Sequence, residues 1–108
     1  MVEPIYLFLG IAKKASKLVS GEGNCEKTLK SGKTRLVIVA EDSSDNTKKK
    51  FYDMCKYRGI AIEYFGSKEN LGRYLGKGDI AVLCIIDDGI AKKLQQMIGN
   101  LSLKPGGF

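Results

Sequence analysis

The chain has no histidine and no tryptophan, two prolines and three cysteines among its 108 residues. The shortages of histidine and cysteine each exclude a class of function. Without histidine there is no imidazole to act as a base near neutral pH and no imidazole ligand for zinc. Cys25, Cys55 and Cys84 are odd in number and widely spaced. They cannot close a four-ligand zinc site by themselves, and their spacing does not fit a disulfide framework. They are expected to be small core thiols of a protein in a reducing cytosol. No apolar run reaches the roughly 18 to 20 residues that span a bilayer. The longest, Ile80 to Ile86, is strand-sized. The apolar patch from Ile5 to Ala12 has no basic residue before it and no cleavage-type small residues before Lys13 and Lys14. It therefore reads as a core helix of a cytoplasmic protein.

Hydrophobic residues make up 44% of the chain and charged residues 28%, values that argue against both disorder and a fibrous repeat. A chain of this length can bury a single core without metal or disulfide staples. The expected organisation is one domain over residues 1–103, with a flexible tail from Lys104 to Phe108.

Lysine and arginine exceed aspartate and glutamate by 18 to 12, a net +6 that is unevenly spread. Residues 1–40 carry seven basic and three acidic side chains, residues 41–90 eight and nine, and residues 91–108 three and none. The two ends of the chain hold the positive field, which favours a polyanionic partner.

Periodicity gives alternating elements. Ile5, Phe8, Leu9, Ala12 and Ala15 recur at helical spacing from Pro4, a favoured first-turn residue, to about Lys17. Leu18 and Val19 form a short strand, and the turn Ser20-Gly21-Glu22-Gly23 leads into a second helix that Gly32 ends. Leu36 to Ala40 is an unbroken apolar run, typical of a strand covered on both faces. Asp42, Ser43 and Ser44 are suited to capping the next helix, which Gly59 closes. Ile60 to Phe65 is a strand, Ser67 caps a fourth helix through Leu75, and Gly76 to Asp79 form a turn. Ile80 to Ile86 is the last strand, and Asp87 starts a fifth helix with Ile90, Ala91, Leu94 and Leu101 on its apolar stripe. The fold class is therefore α/β, a three-layer α/β/α sandwich around a four-stranded mixed sheet with every strand buried on both sides.

Three chemistries can be weighed on the residues. Gly32-Lys33-Thr34 has the ending of a phosphate-binding loop, but the required earlier glycine is Lys27 and the tripeptide closes a helix instead of opening one. Gly21 and Gly23 begin a dinucleotide pattern whose third glycine is Glu26, so that reading fails as well. Glu41, Asp42 and Asp45 after one strand, with Asp87 and Asp88 after another, could converge on magnesium for phosphoryl chemistry. Helix capping is the more economical role for them, and an enzyme is not expected. The basic residues remain. Lys13, Lys14 and Lys17 lie on one helix face, Lys27, Lys30 and Lys33 follow on the second helix, and Lys48 to Lys50 form a further run. The first two sets flank the glycine turn, where a helix N-terminus would add its own attraction for anions. Glycines at 21 and 23 let a nucleic-acid backbone approach closely. Asn24 can read a base edge, and Lys27 can reach a phosphate or a guanine.

With these residues in place, the chain resembles the ribosomal L-seven-Ae superfamily of kink-turn RNA-binding proteins, most closely its bacterial YlxQ-like branch. The resemblance is carried by Leu9-Gly10-Ile11-Ala12 with Ala15, Lys17-Leu18-Val19-Ser20-Gly21-Glu22, Lys27 with Lys30-Ser31-Gly32-Lys33, Leu36 to Ser44, Asn46 to Lys50 and Cys55, Leu71-Gly72 and Asp87 to Lys93. It implies an α/β/α sandwich that binds structured RNA, ribosomal RNA or a kink-turn-like motif, without catalysis, cofactor or metal, in association with the ribosome. Ser20, Gly21, Glu22, Gly23, Asn24 and Lys27 would form the contact surface, and Gly76, Lys77 and Gly78 would belong to a loop covering a flipped-out base. Lys13, Lys14, Lys17, Lys30 and Lys33 would add phosphate contacts. Kink-turn readers of the archaeal and eukaryotic branch place Asn and then Glu where this chain has Gly23 and Asn24, and their covering loop is longer and apolar. A protein-interaction module on the same fold is the alternative function.

Overall fold

The computed structural model describes residues 2–102. The tail expected from Lys104 onward lies outside them. The elements run α1 (Glu3–Lys14), β1 (Leu18–Ser20), α2 (Glu22–Lys30), β2 (Leu36–Val39), α3 (Asp45–Arg58), β3 (Ala61–Tyr64), α4 (Lys68–Tyr74), β4 (Val82–Ile85) and α5 (Asp88–Ser102).

The sheet has the order β1-β4-β2-β3, with β4 antiparallel to both β1 and β2, and β2 parallel to β3. It is mixed, as expected. Alternation along the central strands divides the core into two layers. Leu36, Ile38, Ala40, Leu83 and Ile85 face the layer that includes Ile5 and Leu9 of α1, Leu71 of α4 and Leu94 of α5. Val37, Val39, Val82 and Cys84 face Cys25 and Leu29 of α2 and Phe51 and Cys55 of α3. This is the expected α/β/α sandwich. The central strands β2 and β4 are buried throughout, whereas β1 and β3 are only half-buried and Tyr64 is exposed. The expectation that every strand is buried on both sides is thus corrected for the two sheet edges, where each strand has a neighbour on one side only.

Helix ends follow local chemistry. Ser44 and Ser67 each accept a hydrogen bond from a backbone N–H three residues on, capping α3 and α4. Asp87 does the same for Ile90 at the start of α5, at 2.9 Å. Asp42 and Ser43 do not cap α3. Asp42 Oδ1 accepts from the Lys68 N–H of α4 at 2.8 Å, and the Ser43 hydroxyl donates to the Ala81 carbonyl at 3.0 Å. The expected extension of α1 to Lys17 also fails, because Ser16 turns the chain with φ +61° and the Lys17 N–H closes back on the Ala12 carbonyl. Lys17 therefore lies beyond the helix that carries Lys13 and Lys14.

Candidate nucleic-acid interface

Ser20, the last residue of β1, pairs with Leu83 of β4, and Gly21 then turns the chain into α2. Gly21 has φ +100° and ψ 145°, a conformation that a Cβ resists, so glycine is required there for the backbone alone. Its N–H donates to the Val82 carbonyl at 3.0 Å, locking the start of α2 to the start of β4. The first helical bond runs from the Cys25 N–H to the Gly21 carbonyl, which makes Glu22 and Gly23 helical residues and not part of a preceding turn. No side chain caps this helix. Its first N–H groups and the positive end of its dipole thus face outward beside exposed Gly23 and Asn24.

Gly23 is present for a different reason from Gly21. A Cβ built on it would meet nothing within 4 Å, so neither backbone conformation nor packing calls for glycine. Its effect is to leave the helix start open to close approach. The Asn24 side-chain amide donates to the Ser20 carbonyl at 3.2 Å, which orients the amide and leaves its oxygen available. Glu22 turns away toward α3, where its Oε2 accepts from the Thr47 hydroxyl at 3.2 Å.

The loop at Gly76, Lys77 and Gly78 leads through Ile80 into β4, which Gly21 holds. The Lys77 N–H donates to the Gly72 carbonyl at 2.8 Å and the Ile80 N–H to the Lys68 carbonyl at 3.0 Å, so the short loop is folded back along α4. Gly72 permits this, since a Cβ there would stand 2.2 Å from the Gly78 carbonyl oxygen. Sequence reasoning quoted Gly72 within the family resemblance but missed its role. The signal was a glycine inside a helical stretch, which often marks close backbone approach.

The candidate lysines divide into three sets. The Lys13 ammonium donates to the Leu75 carbonyl, and Lys13 and Lys14 line a groove with Gly10, Tyr74 and Gly76. Lys27 and Lys33 line a second groove with Val19 and Ile86, and the Lys17 carbonyl accepts from the Ile86 N–H nearby. Lys30 stands apart, reaching Glu26 at 3.5 Å, while Lys50 reaches the other oxygen of Glu26 at 2.7 Å. The Lys50 ammonium holds the Glu26 carboxyl below the usual carboxylate range, and Lys50 is raised in turn. This link between α2 and α3 was illegible in the sequence because its partners lie far apart in the chain. Among the described residues Lys14, Lys17, Lys27, Lys33 and Lys77 form no ion pair, so their charge is available to a partner.

The acidic residues do not converge. Because β2 and β4 are antiparallel, Glu41 and Asp42 lie at one end of the sheet and Asp87 and Asp88 at the other, where Asp88 pairs with Arg35 at 3.1 Å. This geometry corrects the notion of a shared magnesium site. Thr34 is buried, so Gly32-Lys33-Thr34 does not form an open phosphate loop either.

Residues 4–95 match the Ribosomal protein L7Ae/L30e/S12e/Gadd45 family. The protein called RNA-binding protein YlxQ in Bacillus subtilis is 38% identical over 90 residues, spanning 83% of this chain and 90% of its own. Its Enterococcus faecium counterpart is 34% identical over 90 residues, with 83% and 86% covered. A solved structure of a Bacillus halodurans protein described as having unknown function superposes with a TM-score of 0.84 at 32% identity, covering 92% of this chain and 99% of that one. The Giardia lamblia 15.5kD RNA binding protein shares the fold, with a TM-score of 0.73 at 23% identity over 94% and 87% of the two chains. With the family match spanning most of the chain and the sandwich described above, this protein belongs to the L7Ae/L30e/S12e/Gadd45 family.

Proposed function

We propose that the chain is a non-enzymatic, cytoplasmic RNA-binding protein associated with the ribosome, gripping a kinked or irregular structured RNA with the start of α2. The observation that carries this reading is the uncapped N-terminus of α2, opened by Gly21 and Gly23 and tied to β4 just beyond the 76–80 loop. The relatives named RNA-binding protein support it. A regular RNA helix hides its base edges in a deep, narrow groove, so an exposed helix end suits an RNA whose groove has been widened by a kink. Phosphates would lie against Lys14, Lys17, Lys27 and Lys33, with Lys13 and Lys77 at the covering loop, while Gly23 and Asn24 meet the bases. Lys30 contributes less, because Glu26 already neutralises part of its field.

Titration of labelled kink-turn RNA and ribosomal RNA fragments across a salt series tests the proposal. Neutralising about four phosphates should lower log affinity by roughly 3 to 4 per decade of salt on duplex-like RNA. Lys27→Glu should abolish specific binding while leaving the fold unchanged by circular dichroism. Absence of binding to any RNA, or affinity indifferent to salt, overturns the reading.

A further inference from the structure

A groove of about 880 Å³ lies away from the α2 surface, along β3 at the other edge of the sheet. Its apolar lining includes Tyr6, Phe65 and Ile98, and its charged groups are Glu41, Asp42 and Glu63. No lysine or arginine is among its described lining residues, although the chain carries 18 of them. Of the three carboxylates, Asp42 is engaged by the Lys68 N–H. Glu41 and Glu63 form no ion pair among the described residues. Glu63 is half-buried, and burial alone pushes its carboxyl above the usual range, a sign that no cation offsets its desolvation.

Beside the groove, β3 pairs with β2 alone among the described residues, which leaves its outer edge able to accept a further strand. On an added strand, side chains opposite Glu63 would lie within about 4.5 to 5.5 Å Cβ to Cβ, where opposite charges attract. The alternate positions would fall on the other face, beside Ile62 and Tyr64. We propose that this groove is a docking site for an extended segment of a partner protein in which lysine or arginine alternates with apolar residues. The basic side chains would pair with Glu63 and Glu41, and the backbone would extend the sheet at β3. Order β1-β4-β2-β3 puts three strand spacings, roughly 14 Å, between this edge and β1, so the site does not depend on the RNA reading.

The test is fluorescence anisotropy with the full chain and a short labelled peptide alternating lysine or arginine with valine, set against a peptide with glutamate at each basic position. The basic peptide should bind and the acidic one should not. Glu63→Gln should weaken binding about tenfold and Glu41→Gln roughly twofold to fivefold, in line with charge-assisted contacts of differing burial. Lys27→Glu should leave peptide affinity unchanged, which separates this site from the α2 surface. Equal binding of both peptides, no binding of the basic one, or an affinity unmoved by Glu63→Gln overturns the proposal. So does a Glu63→Gln variant whose one change is increased self-association, which would make Glu63 a guard of the sheet edge and not a docking group.

Discussion

Single atoms decide more here than residue type suggests, and glycine shows it best. Gly21 supplies a backbone conformation, Gly23 supplies empty space, and Gly72 admits a carbonyl oxygen 2.2 Å from where its Cβ would be. Gly72→Ala should therefore destabilise the fold by roughly 1 to 3 kcal/mol through overpacking against the 77–78 backbone. Gly78→Ala, with nothing within 4 Å of the new Cβ, should stay within about 0.5 kcal/mol. Urea unfolding midpoints separate the two, and equal midpoints would refute the packing argument. The sequence made Gly21 and Gly23 look alike because a glycine code carries no dihedral angle. Lys30 teaches the same lesson about charge. It shared a helix with Lys27 in the sequence, yet the helical phase turns it toward Glu26 and α3.

Among the elements, α2 concentrates the candidate function in nine residues. Its buried side, Cys25 and Leu29, packs on β4 and β1, while its first turn has no side-chain cap. Family readers of kink-turns carry Asn and Glu where this helix has Gly23 and Asn24. The double change Gly23→Asn with Asn24→Glu should tighten kink-turn RNA binding about tenfold or more, the scale of one good base contact. The helix should tolerate it, since space at Gly23 is open and a first-turn carboxylate favours the dipole. Gel-shift titration measures the gain, and unchanged affinity in a folded variant would show that the α2 start is not the reading head. Helix boundaries were largely legible because Ser44, Ser67, Gly59 and Asp87 are local signals that act within a few residues. Asp42 was misread because its acceptor role joins the segment after β2 to α4, a partnership across 26 positions.

At the scale of the molecule, the sheet separates a basic surface around β1 and α2 from an acidic groove along β3, and its two packed layers give it a pH profile. Burial pushes the Cys55 thiol from an ordinary 9.0 to about 11. In the unfolded chain this thiol ionises at about its ordinary value, whereas the folded protein holds its proton. The stability it contributes is complete below pH 9 and lost as pH rises from 9 toward 11. Chemical denaturation at stepped pH should show that fall, and Cys55→Ala should flatten it; a flat profile in the unsubstituted chain would contradict the burial argument. Glu26, held low by Lys50, acts in the opposite sense, its contribution being lost as pH falls below the ordinary carboxylate value of 4.5. Composition, periodicity and capping residues determined by themselves the α/β class, the element order, most helix ends and the neighbourhood of the glycine turn, because each depends on interactions within a few positions. Only the tertiary structure decided strand order, the separation of Asp42 from Asp87, the link of Glu26 to Lys50 and the acidic groove at β3. Those depend on which way β4 runs against β2 and on contacts between residues distant in the chain, and neither leaves a local trace in the order of amino acids.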